Sequence, residues 1–154
     1  MRKAFEASLE TKQINNLTQD DLISYPEWEH RENKRLQTSL RKARFRYAAS
    51  VEEISYSTVR NINKNTIMRL ADCTYIDKSE NIIITGATST GKSYLASAFG
   101  HQACIKGYKV AYYNTSKLFT KLKMAKGDGT YTKELTRLEK QDVLILDDFG
   151  LHPY

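Results

Sequence analysis

The sequence predicts an α/β fold, a parallel sheet with crossover helices, preceded by a small all-α amino-terminal domain. Three observations carry this. Helix-start signals recur ahead of amphipathic runs in the first part of the chain, strand and helix textures alternate from Asn81 onward, and a loop bounded by Gly86 and Gly91 stands between the first strand and a helix. The polar stretch from Asp77 to Glu80 is the expected boundary, which gives domains 1–78 and 79–154.

In the first domain, Thr18 with Asp21, Ser24 with Glu27 and Ser50 with Glu53 fit the spacing at which a hydroxyl caps a helix and an acid reaches back. The longest expected helix runs from about Pro26 to Tyr47, with Trp28, Leu36, Leu40, Ala43 and Tyr47 on one stripe. Arg31, Lys34, Arg35, Arg41, Lys42 and Arg46 fall largely on the other side, with Phe45 among them. Cations repeated along a helix can track phosphates and release counterions, so this face is a candidate surface for double-stranded DNA. A solvated face that docks on the rest of the protein is the plainer alternative.

In the second domain, Asn81 to Thr85 reads as a buried strand, because Ile82, Ile83 and Ile84 are consecutive and β-branched. A helix is expected from Lys92 to Gly107, whose missing side chain permits the left-handed stop. A second strand follows at Lys109 to Tyr113, then a helix from Ser116 to about Lys126. Gly127-Asp128-Gly129 makes a turn, a further helix covers roughly Thr132 to Lys140, and Asp142 to Leu146 is the third strand.

Composition narrows the function classes. The chain has 154 residues, a formal net charge of +6 and 40% hydrophobic residues, which suits a core-forming protein with polyanionic partners. Cys73 and Cys104 are the only cysteines and form no CxxC signature, and the three histidines are not at ligand spacing, so neither a disulfide framework nor a structural metal is expected. The first ten residues carry Glu6 and Glu10 and no continuous apolar stretch, and nothing in the sequence reads as a membrane span; a cytoplasmic setting is expected.

Gly86-Ala87-Thr88-Ser89-Thr90-Gly91-Lys92-Ser93, set between a strand and a helix, matches the P-loop pattern GxxxxGK[ST] in its required context. Glycines let the loop curl so that backbone N–H groups point at phosphate oxygens, and the helix amino terminus adds partial positive charge. Lys92 is expected on the β and γ phosphates of ATP, Ser93 in the shell of Mg2+, and the cofactor contacts run on to Tyr94. Val143 to Asp148 is an apolar strand ending in two acids, as in a Walker B element. Asp147 would hold Mg2+ through water, and Asp148 would polarise or position the attacking water, so Lys92, Asp147 and Asp148 are the candidate catalytic residues.

With these motifs in place, the sequence resembles the IstB-type helper ATPases of insertion sequences, relatives of the DnaC helicase loaders within the AAA+ class. The resemblance lies in Glu27-Trp28 through Arg44-Phe45-Arg46-Tyr47, Asn81 to Lys92, Tyr94-Leu95-Ala96, Gly100-His101-Gln102-Ala103, Gly107-Tyr108 and Leu144 to Leu151. It implies an AAA+-like P-loop NTPase, an ATP- and DNA-binding homo-oligomer that works with an IstA-type transposase. Against that pattern, Ala87, Thr88 and Ser89 replace a proline- and glycine-rich form, and the sequence ends soon after the Walker B acids. The resemblance then implies an incomplete fold, because the strand that sits between the P-loop strand and the Walker B strand is missing, with the sensor residue, arginine finger and helical lid. Unpaired strand edges would each cost about 1–3 kcal/mol per buried group, and hydrolysis would be impaired. A DnaC-like helicase loader and a non-catalytic DNA-binding module with a vestigial P-loop are the two alternatives.

Overall fold

The computed structural model describes residues 19–56 and 62–150, with side-chain surroundings from residue 27 onward. The chain divides into two compact units, Met1–Gln37 and Thr38–Tyr154. Among the described residues, no helix is long and apolar enough to cross a membrane.

The first helix, α1, spans Gln19–Ala43, earlier at both ends than its stripe suggests. It runs through Ser24, so no helix starts there, and through Pro26, whose nitrogen can make no bond back along the helix. Thr18 lies outside the described residues. The helix ends because Arg44 turns left-handed, with φ of 58°. In the first unit the exposed pairs Arg31–Glu27 and Arg35–Glu32, each at 3.6 Å, run along this helix, and Trp28 is 60% exposed.

In the second unit, Ser50 caps a 3-10 turn, Val51–Glu53, rather than a full helix. Its Oγ accepts the Glu52 N–H, while the Glu53 carboxylate accepts the Tyr94 hydroxyl at 2.8 Å instead of reaching back. Helix α2, Lys64–Ala71, starts where the Asn63 side chain accepts from the Asn65 and Thr66 N–H groups. A short α3, Thr74–Asp77, follows. Helix α4, Lys92–Ile105, ends two residues before Gly107, whose φ of 93° permits the reversal expected there. The core of this unit joins Ala49, Val51 and Ile54 to Ile67 and Ala71 of α2 and to Ala98 and Phe99 of α4. Burial pushes the thiol of Cys104 up to about 11 and that of Cys73 up as well, so both stay protonated at neutral pH.

Strands β1, Val110–Asn114, and β2, Val143–Asp147, pair in parallel with Val110 opposite Val143 and Asn114 opposite Asp147. The crossover between them is α5, Thr115–Gly127, and α6, Tyr131–Glu139. Asn114, rather than Ser116, caps α5 by accepting the Lys117 N–H at 3.2 Å. Asp142 sets the register by exchanging bonds with Lys109 at 2.7 and 2.9 Å.

The expected first strand does not form. Residues 81–86 carry no regular secondary structure, and Ile83 is 85% exposed. A strand exists only through ladder bonds to a neighbour, and among the described residues β1 and β2 bond to each other. Ile84 nonetheless packs half-buried against the core, two residues before Gly86.

Helix α4 packs closely on β2 and the segment after α1 through Gly100. A Cβ there would collide with the Phe45 ring and stand 2.7 Å from Cδ1 of Ile145. Phe45, which stands among cations in the sequence, makes this packing contact and an edge-to-face pair with Tyr112. Gly100→Val is expected to destabilise the fold by about 1–3 kcal/mol through overpacking. Chemical denaturation checks this, and Phe45→Leu in the same chain is expected to recover part of the loss.

Candidate functional site

The glycine loop curls into the amino terminus of α4. Gly91 is left-handed at φ of 90°, and no side chain caps the helix that follows, so its first N–H groups are left to an anion. Thr90 braces the loop by donating to the Ala87 carbonyl at 2.8 Å. Lys92 folds back over it, donating to the Gly86 and Ala87 carbonyls at 2.9 and 2.7 Å. The loop is exposed from Gly86 to Thr90, including Thr88 and Ser89. Tyr94 spends its hydroxyl on Glu53 and tilts its ring against Tyr47 at 6.3 Å.

The two acids at the end of β2 stand beside this loop. Ser93 donates to Oδ1 of Asp147 at 2.8 Å, which joins two residues 54 positions apart. Oδ2 of the same carboxylate accepts from the Tyr112 hydroxyl and from Nη1 of Arg46 at 3.2 Å. The Thr115 hydroxyl donates to the Asp147 carbonyl at 2.8 Å. Asp148 turns left-handed at φ of 57°, accepts from Nδ2 of Asn114 at 2.8 Å and lies 3.9 Å from Arg46.

Exposure separates the two acids. The Asp147 side chain is 12% exposed and that of Asp148 is 37% exposed, so Asp147 lies within the protein and Asp148 faces outward. Burial opposes charge on Asp147, yet hydrogen bonds from Tyr112, Ser93 and Arg46 outweigh it and hold the carboxyl below the ordinary aspartate range. Tyr112 moves the other way: burial, then its bond to Asp147, push its pKa up and keep it a donor.

The donor set fits Mg2+. Ser93 Oγ and Asp147 Oδ1 are hard oxygens side by side, and Mg2+ takes one or two such protein ligands while keeping waters and phosphate oxygens for the rest. Among the described residues, no three His, Cys, Asp or Glu side chains gather elsewhere to hold a metal.

Of the six basic residues named from sequence, Arg31, Lys34, Arg35, Arg41 and Lys42 lie along α1. Arg46 lies beyond the helix end, where its guanidinium meets Asp147. Sequence reasoning missed Tyr112, Asn114 and Thr115. Tyr112 and Asn114 share one side of a strand two residues apart, but only the register with β2 brings them to the acids.

With the geometry established, comparison with known proteins gives a consistent result. Residues 1–154 match the family described as IstB-like ATP binding proteins. An insertion-sequence ATP-binding protein of Sinorhizobium fredii is 35% identical over 99% of this chain and 64% of its own length. The ATP-binding protein of insertion sequence IS1162 from Pseudomonas fluorescens is 40% identical over 79% of this chain and 53% of its own. The chain thus spans about half to two thirds of the length of these relatives.

The depressed carboxyl has a stability consequence with a definite sign. A carboxyl lowered by folding stabilises fully above its unfolded value and loses that contribution as pH falls through the folded one. Asp147→Asn is expected to flatten the fall in stability below about pH 4. At neutral pH it should cost about 1–3 kcal/mol, because an amide nitrogen cannot accept from the donors that surround it. Urea midpoints measured from pH 7 down to pH 2 check both parts.

Proposed function

Because this chain belongs to the family of IstB-like ATP binding proteins, we propose that it binds Mg·ATP at residues 86–94 and acts as a DNA-binding helper in transposition. The observation that carries the nucleotide reading is the bond from Ser93 to Asp147, which brings the loop and the two acids into one site.

In this reading Gly86, Ala87, Thr88, Ser89, Thr90 and Gly91 wrap the phosphates with backbone N–H groups. Lys92 leaves the Gly86 and Ala87 carbonyls for the β and γ phosphates, a trade between charge-assisted bonds of similar strength. The Tyr94 N–H adds to the helix amino terminus. Ser93 and Asp147 hold Mg2+, which neutralises phosphate charge when bound. Asp148 has one oxygen held by Asn114 and keeps the other to orient a water.

The DNA surface is the cationic series Arg31, Lys34, Arg35, Arg41 and Lys42 along α1, with Arg46 beyond its end. The pairs to Glu27 and Glu32 are exposed and weak enough for DNA phosphates to displace. The relatives named above belong to insertion sequences, which favours a transposition helper working with an IstA-type transposase, as a homo-oligomer, over a helicase loader. The division into a helical DNA- or partner-binding domain, 1–78, and the amino-terminal part of an AAA+ ATP-binding domain, 79–154, belongs to the same proposal.

Saturating Mg·ATP, at about 100 times its Kd, is expected to add roughly 2.7 kcal/mol of stability, and Lys92→Ala should remove most of that gain. Thermal unfolding with and without Mg·ATP reads it directly; equal midpoints in the unmutated chain would overturn the nucleotide reading. For DNA, Arg41→Ala with Lys42→Ala is expected to reduce the slope of log affinity against log salt by about 2. Fluorescence anisotropy on a duplex across a salt series measures that slope, and an unchanged slope would remove these two residues from the interface.

A further inference from the structure

A carboxylate offers about four lone-pair sites, two on each oxygen. At Asp147 three are taken by side-chain donors. Oδ2 receives both the Tyr112 hydroxyl and the Arg46 guanidinium, and Oδ1 receives Ser93. Oδ2 thus carries two side-chain donors and Oδ1 one. Thr115 and Ser97 hold the backbone carbonyls of Asp147 and Ser93, each at 2.8 Å, and the carboxylate itself is oriented by the donors on its two oxygens.

Divalent cations differ in what they ask of such a group. Mg2+ is small, octahedral and slow to shed water, so one carboxylate oxygen, direct or through a water, satisfies it. Ca2+ takes six to eight ligands and gains from gripping a carboxylate by both oxygens. We infer that Tyr112 and Arg46 form a clamp that denies Oδ2 of Asp147 to a metal ion and thereby selects Mg2+ over Ca2+ at this site.

The inference rests on the nucleotide-binding reading above. Tyr112 and Arg46 are positioning residues, acting through Asp147. Arg46 also repels an incoming cation, but Mg2+ and Ca2+ carry the same charge, so repulsion weakens both alike. Only the clamp changes their ratio.

The test is the thermal midpoint of the full chain with saturating ATP while Mg2+ or Ca2+ is titrated. The quantity read is the Ca2+ concentration giving the half-maximal shift divided by the corresponding Mg2+ concentration. Tyr112→Phe keeps the ring that packs against Phe45 and removes only the hydroxyl. It is expected to lower this ratio by about three- to tenfold, where tenfold corresponds to about 1.4 kcal/mol. Arg46→Gln should lower it in the same direction by a smaller factor. Because each ratio is compared with that of the unmutated chain, the preference of ATP itself cancels. A ratio unchanged in both variants, with the two half-points moving together or not at all, would overturn the clamp while leaving nucleotide binding intact. An unmutated chain that gains no stability from Mg·ATP would overturn the nucleotide reading and the clamp together.

Discussion

The second unit is organised around one carboxylate. Asp147 draws a hydroxyl from the first turn of α4, a phenol from β1, a guanidinium from the segment after α1 and, through its carbonyl, a hydroxyl from the first residue of α5. A group of this polarity at a strand end is costly to bury unless most of its lone pairs are met. Meeting them fixes where four separate pieces of chain must come. The carboxyl stays below its ordinary range in spite of burial, which says that the donors outweigh the lost hydration.

That arrangement reinforces the parallel pair formed by β1 and β2 among the described residues. Parallel sheets usually lie between covering layers. Here β1 is buried at Val110, Ala111 and Tyr112, while β2 is half-buried and Leu144 is 41% exposed. Backbone bonds between two strands alone are marginal. The pair is reinforced at one end by Asp142 exchanging bonds with Lys109 and at the other by the donors on Asp147. Side chains thus hold both ends of a ladder that is short.

Much of this was legible in the sequence because local chemistry decides it. The Gly86 to Ser93 loop, the start of α4 at Lys92, the stop before Gly107 and the two strands each follow from a motif or from short-range preferences, and each lies within a residue or two of its expected place. The misses have a common cause. Ile82 to Ile84 has strand composition, but a ladder partner is a property of the fold, and among the described residues none is supplied. Arg46 sits in a run of cations, and its sequence neighbours say nothing of Asp147, 101 residues away. Tyr112 and Asn114 become site residues only once the register of β1 on β2 is set.

The glycine loop shows how the site is held without a ladder behind it. A strand leading into the loop would anchor Gly86 through the sheet. Instead Ile84 packs half-buried against the core, Gly91 stands at the start of α4, and Lys92 ties the carbonyls of Gly86 and Ala87. The loop conformation therefore depends on the same ammonium that a phosphate would attract. Each of those bonds is charge-assisted and of the order of 1.5–3 kcal/mol, so a phosphate must offer Lys92 comparable partners. The loop N–H groups gain an anion in the same step, and the helix amino terminus adds its partial charge. A phosphate bound there would be linked to loop order through one side chain, the anion taking the place of the internal tie.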